Sequence, residues 1–361
     1  MRQSMAVQVG SVTVGGGAPV SIQSMTNTDT TDINATLQQI ERLVDNGCEI
    51  VRIAVPDEEA AKSLATIRKN ITIPLVADIH FDYRLAIMAL EAGVDKIRIN
   101  QGNIGGEEKL QRIIVRAKER NIPIRIGVNA GSIPRELRKK HGGVTVDALE
   151  ETALRTLDYF EQHKFEKIIL SLKAADVSTS VQVYERMASR VSYPLHLGIT
   201  EAGRGLKGIV KSTLGIGALL LQGIGDTIRV SLTGDPEEEI PVAREILQAA
   251  GLRRFGPEII SCPTCARCEI DLPAIVDMVE EIIKKNKATI SALPLKIAVM
   301  GCPVNGPGEA READVGVSGG KGFAILFREG KVIKKVPFSE LAETLQATIM
   351  HLCYRNGNGT T

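Results

Sequence analysis

Four of the six cysteines of this 361-residue chain lie in two short stretches. The first is Ser261-Cys262-Pro263-Thr264-Cys265-Ala266-Arg267-Cys268 and the second is Gly301-Cys302-Pro303-Val304-Asn305-Gly306-Pro307-Gly308-Glu309. Two cysteines three apart, with a third far downstream, have metal-ligand spacing. The surrounding turn residues put them on loops, where backbone N–H groups are free to bond to sulfur. Two kinds of centre fit. Zinc needs four closed ligands and would take Cys268 as the fourth. An iron–sulfur cluster also takes thiolates, and bacterial ferredoxins use the same spacing. Spacing alone does not separate the two. A disulfide fits poorly with a start, Met1-Arg2-Gln3-Ser4, that lacks a secretion signal. Cys48 and Cys353 fall in apolar segments and read as plain core or surface thiols.

A second set of reactive residues is cationic. Arg52, Arg98, Arg125, Lys173 and Arg229 each lie in or just after an apolar, β-branched run. A polar turn and a helix-period segment follow each run. The expected strands are Val20–Met25, Ile50–Val55, Leu75–Ile79, Lys96–Asn100, Ile124–Asn129, Lys167–Leu172, Leu195–Ile199 and Thr227–Leu232. Short, nearly continuous apolar strands separated by helices mark a parallel sheet. Eight such units point to a (β/α)8 barrel, although periodicity alone leaves a doubly wound sheet open. In such a barrel the chemistry sits where strands end. Those ends are polar here, as in Gln23-Ser24, Asp78-Ile79-His80, Arg98/Asn100, Arg125/Asn129 and Arg229/Ser231/Thr233. Residues of one parity share a face, so five cations converging on one mouth imply a phosphate or diphosphate ligand. The run Gly203-Arg204-Gly205-Leu206-Lys207-Gly208 opens the next helix, and reads either as phosphate binding or as close packing.

Composition narrows the classes. A formal charge of +1 gives no steering toward nucleic acid or membrane. Aromatics are 3% and tryptophan is absent, which argues against base-stacking platforms. No apolar run approaches the ~18 residues of a membrane span. The cytoplasm is the expected location. After residue 254 a linker leads to a second, smaller α/β region. The expected division is a substrate-binding barrel over residues 1–254 and a metal domain over 255–361.

These motifs together identify a resemblance. Ser21–Thr28, Val51–Pro56, Asp78–Phe81, Lys96–Asn100, Gly102–Gly105, Ile124–Asn129, His196–Gly203, Gly223–Leu232, Cys262–Cys265 and Gly301–Glu309 resemble, in order, the 4-hydroxy-3-methylbut-2-enyl diphosphate synthase family of isoprenoid biosynthesis. The resemblance implies a TIM-type barrel joined to a C-terminal [4Fe–4S] domain. It implies reductive ring opening of 2-C-methyl-D-erythritol 2,4-cyclodiphosphate, with electrons from flavodoxin or ferredoxin. It implies Cys262, Cys265, Cys302 and Glu309 as cluster ligands. Arg52, His80, Arg98, Arg125 and Lys211 are implied to bind diphosphate, with the strand-end residues Asn100, Asn129 and Arg229 beside them. Glu239, of the stretch Asp235-Pro236-Glu237-Glu238-Glu239, is the implied catalytic acid. The chain departs from the family at Gln101, where proline is usual, and at Cys268. A carboxylate is a harder, more displaceable partner for ferrous iron than thiolate, which favours Glu309 over Cys268 as fourth ligand.

Rival readings are a sugar-phosphate isomerase or lyase with a structural zinc, and an iron–sulfur redox sensor. Quaternary structure also follows from the elements. The eighth helix returns the chain to the face opposite the barrel mouth, and only about ten residues then lead to Cys262, with little reach to spare. A head-to-tail homodimer, with each metal domain capping its partner's barrel, is the expected solution.

Overall fold

The computed structural model describes residues 1–290, 295–303, 308 and 310–357. The chain forms two compact units, Met1–Arg253 and Arg254–Thr361.

The first unit opens with an antiparallel hairpin, β1 (Val7–Val9) and β2 (Val12–Val14), as its alternating sequence predicts. Its valines pack on Ile50, Val76 and Ile169, early residues of barrel strands, and so plug the N-terminal end of the barrel. Eight parallel strands follow: β3 (Ser21–Met25), β4 (Ile50–Ala54), β5 (Leu75–Asp78), β6 (Lys96–Ile99), β7 (Ile124–Asn129), β8 (Ile168–Lys173), β9 (His196–Leu197) and β10 (Thr227–Ile228). Each of β3 to β7 pairs with its successor, and β10 pairs with both β9 and β3. The ring closes through a parallel bridge between Leu170 and Leu195, where the Leu170 N–H donates to the Pro194 carbonyl at 2.9 Å. The fold is therefore a (β/α)8 barrel, as expected. Aspartates at the strand-to-helix turns fix the helix starts. Asp32, Asp57 and Asp176 each accept an N–H from the first turn, satisfying donors the helix leaves open.

Two expectations need correction. β9 and β10 are two-residue ladders rather than five and six. Beyond Leu197 there is no room for a side chain: a Cβ at Gly198 would stand 2.7 Å from the Arg229 carbonyl and 2.5 Å from Lys173 Nζ. The chain after β7 also carries unpredicted short helices, Ala130–Ser132 and Arg135–Lys140, and another turn, Gln101–Ile104, follows β6.

The second unit is a five-stranded sheet in the order β11 (Glu258–Ser261), β12 (Lys296–Met300), β13 (Val315–Gly320), β14 (Phe323–Arg328), β15 (Lys331–Pro337). β11 to β13 are parallel and β14 and β15 antiparallel. Helices Leu272–Lys285 and Leu341–Gly357 contribute Val279, Ile282, Leu345 and Ile349 to a core with Val299 and Val317.

Candidate active site

At the C-terminal ends of the barrel strands lies a cavity of about 280 Å³. Arg52, His80, Arg98, Arg125, Asn129 and Arg229 line it, together with Lys173, Thr200 and Ser231. Strand pairing explains why they meet. Arg98 is directly opposite Asp78 on one side and Arg125 on the other. Asp78 is the only carboxylate among the lining residues. Its oxygens face Arg98 Nη1 at 2.9 Å, Arg52 Nε at 3.5 Å and His80 Nε2 at 3.4 Å. Burial alone would raise this carboxyl, but Arg52, His80 and Arg98 together hold it well below the usual range.

Cations outnumber anions at this cavity. Burial lowers Arg52 to about 9 despite Asp78, and it lowers Arg125 and Lys173 further below their ordinary values. Arg125 is 1% exposed, and its Nε and Nη1 have no hydrogen-bond partner among the described residues. Beneath it Lys96 is fully buried, with Gln23 Oε1 at 3.4 Å as its hydrogen-bond partner. Lys173 Nζ stands 3.4 Å from His196 Nε2, and burial keeps that imidazole well below its normal range. Donors packed side by side without acceptors are costly. An anion with several oxygens offsets that cost, and a diphosphate supplies them.

The other expected residues lie elsewhere. Lys211 is on the exposed face of helix Gly205–Leu221, a turn and a half in, and is not among the lining residues; Lys173 is there instead. Glu239 is buried behind Arg229. It takes Arg229 Nε and Nη2 at 3.2 Å, the Ser24 hydroxyl at 3.0 Å and the Leu232 N–H at 3.2 Å. Asn100 is buried but lines a neighbouring cavity of about 500 Å³. That larger space includes Glu107, Glu136 and Asp158 against Arg155, a charge balance unsuited to diphosphate. Glu309 lies outside the described residues. Sequence reasoning missed two partners, Lys96 and the hub role of Asp78. Lys96 could have been found, because it shares the parity of Arg98 two residues on.

In the second unit, β11 and β12 run side by side, so the loops bearing Cys262 and Cys302 leave the same edge of the sheet. The four loop cysteines are free thiols, with Cys265 exposed. Cys262 Sγ accepts the Gly301 N–H at 3.2 Å, as a thiolate ligand would. Cys268 differs. Its thiol donates to the Ile270 carbonyl at 3.2 Å and packs where a Cβ on Gly301 would stand, 2.7 Å away. Among the described residues no three His, Cys, Asp or Glu side chains converge on one ion. Cys262, Cys265 and Cys302 stand on two loops that leave the same end of the sheet, where their thiols could serve as ligands of a metal centre.

The chain matches the GcpE TIM-barrel domain over residues 4–244 and the GcpE protein C-terminal domain over residues 258–351. It is 53% identical over 343 residues to a protein of Geobacillus thermodenitrificans named 4-hydroxy-3-methylbut-2-en-1-yl diphosphate synthase (flavodoxin), covering 95% of this chain and 90% of the relative. The Clostridium tetani protein of the same name is 50% identical, covering 97% of this chain and 99% of the relative. Among solved structures, dihydropteroate synthase from Stenotrophomonas maltophilia and type I 3-dehydroquinate dehydratase from Clostridium difficile each superpose with TM-score 0.51 at 14% identity. Each covers 69% of this chain and 98% of the other, a likeness that concerns the fold alone. The chain belongs to the GcpE family.

Proposed function

We propose that this chain is an oxidoreductase of isoprenoid biosynthesis that opens the ring of 2-C-methyl-D-erythritol 2,4-cyclodiphosphate and removes a hydroxyl as water, yielding 4-hydroxy-3-methylbut-2-enyl diphosphate. Flavodoxin is the electron donor. The reaction takes up two electrons and a proton. The carrying observation is the strand-end cavity, where Arg52, Arg98, Arg125, Lys173 and Arg229 face Asp78 as the only carboxylate of the lining.

In this reading residues 1–254 bind substrate and residues 255–361 hold the [4Fe–4S] cluster. Arg98 and Arg52, aimed by Asp78, clamp the diphosphate with Arg125 and Lys173. As the ring C–O bond opens, negative charge grows on the departing phosphate, and the fixed guanidinium groups stabilise it without reorganising. His80, half exposed at the rim, and Asn129 orient the sugar end. Glu239 has every oxygen committed to Arg229, Ser24 and Leu232, which supports a role in holding Arg229 rather than in donating a proton. Glu201, exposed directly after Thr200, is held at φ 55, a backbone region that a glutamate adopts at a cost, and is not among the residues that line the cavity. Cys262, Cys265 and Cys302, with Glu309 as fourth ligand, would hold the cluster. When bound, the cluster supplies electrons singly at the substrate.

A head-to-tail homodimer completes the site. Helix Gly205–Leu221 carries an exposed apolar stripe, Leu206, Val210 and Leu214, at helical spacing, which a second copy would cover. The direct test is anaerobic. The purified protein should be brown with broad absorbance near ~400 nm, and should convert the cyclodiphosphate to the open product with reduced flavodoxin. A colourless zinc protein, or a brown one without turnover, overturns the reading.

A further inference from the structure

The sheet of the second unit ends in an unusual edge. Among the described residues β15 is the last strand in the order, with one side of its backbone unpaired. Its first five residues, Lys331-Val332-Ile333-Lys334-Lys335, are all exposed. Val332 is 57% and Ile333 54% exposed. Lys335 lies 5.1 Å over the Phe323 ring, which fixes its direction. Lys321 and Arg328 extend the positive surface at the neighbouring strand ends, and Glu329 is the one carboxylate between residues 321 and 335.

Edge lysines often serve only to prevent strand-to-strand aggregation. That role accounts for Lys331, Lys334 and Lys335. It does not call for Val332 and Ile333, two exposed aliphatics at the register shift opposite Leu326 and Phe327. Aliphatic residues framed by like charges are instead the composition of a transient docking patch, where charge steers and apolar contact holds. Register adds a location. Met300 pairs with Ser318, Ser318 with Ile325, and Ile325 with Lys335. Lys335 is therefore in the same cross-sheet row as Met300, two residues before Cys302. Three strand spacings of ~4.8 Å put that edge about 14 Å from the cysteine loops.

We propose that the β15 edge is the docking surface for an acidic flavodoxin. This rests on the reading that flavodoxin supplies the electrons. Each encounter passes one electron from the reduced flavin, which is the group oxidised, so two encounters serve one turnover.

The test compares the wild-type holoenzyme with K331E/K334E/K335E and with V332S/I333S. A K284E/K285E variant, changed at the end of helix Leu272–Lys285 in the same unit, is the control. Reversed charges still guard the edge, so folding and cluster absorbance should be unchanged. Binding of an acidic flavodoxin, read from flavin fluorescence anisotropy at low ionic strength, should weaken at least tenfold in the triple variant and several-fold in the serine variant. The control should bind as wild type. The wild-type affinity should fall with added salt and the triple variant's should not. Turnover driven by a reduced viologen dye should be equal in all four proteins. Equal flavodoxin affinity in wild type and the triple variant overturns the docking site. Wild-type protein that turns over with neither reductant overturns the function instead, and the binding measurement still decides the docking surface.

Discussion

Asp78 organises the positive mouth of the barrel: Arg52, Arg98 and His80 reach its two oxygens, and among the described residues no other carboxylate lines the cavity. Its depressed pKa means that its stabilisation is complete above the unfolded carboxyl value of about 3.9 and is lost only as pH falls below it. Asp78→Asn leaves Arg52 and Arg98 buried and unpaired, and should cost about 3–5 kcal/mol in urea denaturation. The same variant should bind inorganic pyrophosphate more weakly, because Asp78 no longer aims Arg52 and Arg98. Tighter pyrophosphate binding would show that Asp78 competes with the ligand more than it orients the clamp. Arg52→Met, Arg98→Met and Arg125→Met each remove a charge-assisted bond and should weaken substrate binding roughly tenfold or more while the cluster spectrum stays intact. Unchanged affinity in all three would make these arginines structural. Among the thiols, Cys262→Ser, Cys265→Ser and Cys302→Ser should lose bound iron, since a hydroxyl substitutes poorly for thiolate. Cys268→Ser should keep it, because that sulfur is engaged with Ile270 and Gly301. Iron content per chain and absorbance near ~400 nm decide this, and iron loss in Cys268→Ser alone would reassign the fourth ligand.

The helix after β9 shows how far sequence patterns reach. Its glycine run admits phosphate binding or close packing, and within the run the structure shows close packing at Gly208, whereas nothing lies within 4 Å of a Cβ on Gly203 or Gly205. A Cβ on Gly208 would stand 2.5 Å from the Gly203 carbonyl oxygen and 2.7 Å from Leu232 Cδ2, whereas nothing lies within 4 Å of one on Gly217. Gly208→Ala should therefore destabilise by about 1–3 kcal/mol despite its better helix propensity. Gly217→Ala should be neutral or stabilising by up to about 1 kcal/mol. Thermal melts of the two variants give the answer, and equal Tm values would remove the packing argument. Other elements follow the same logic. The barrel was legible because each strand is an apolar run closed by a turn, and Arg98, Arg125 and Arg229 kept the parity that aims them inward. The lengths of β9 and β10 were not legible, since Gly198 is constrained by the Arg229 carbonyl and Lys173, contacts distant in sequence. Lys211 lies on the exposed side of its helix, outside the cavity lining, because a motif match gives a position in the chain but not the helix face that position occupies. Glu239 could not be read as the partner of Arg229 until β10 and its helix were set side by side.

The whole molecule is constrained by a short connection. The last barrel helix ends at Ala249, and Arg253 Nη1 donates to the Val20 carbonyl at 3.0 Å and meets Glu49 at 2.6 Å. Val20 and Glu49 immediately precede β3 and β4, so the chain is tied to the N-terminal end of the barrel, opposite the cavity. Only Arg254–Pro257 separate this anchor from β11. Four extended residues span about 13–14 Å, while a six-residue strand alone is about 20 Å long. Cys262 comes directly after β11, and the proposed two-fold dimer, with each second unit serving its partner's barrel, would bring cluster and cavity together. The decisive experiment mixes Arg125→Met, disabled in the cavity, with Cys302→Ser, disabled at the cluster, each inactive alone. After subunit exchange, half the dimers of an equal mixture are mixed, and each of these holds one intact site. Activity should rise to about a quarter of wild type. Silence after exchange has been demonstrated by mass spectrometry would place cavity and cluster in one chain, and Leu214→Glu, which disrupts the exposed stripe on helix Gly205–Leu221, would then leave activity untouched.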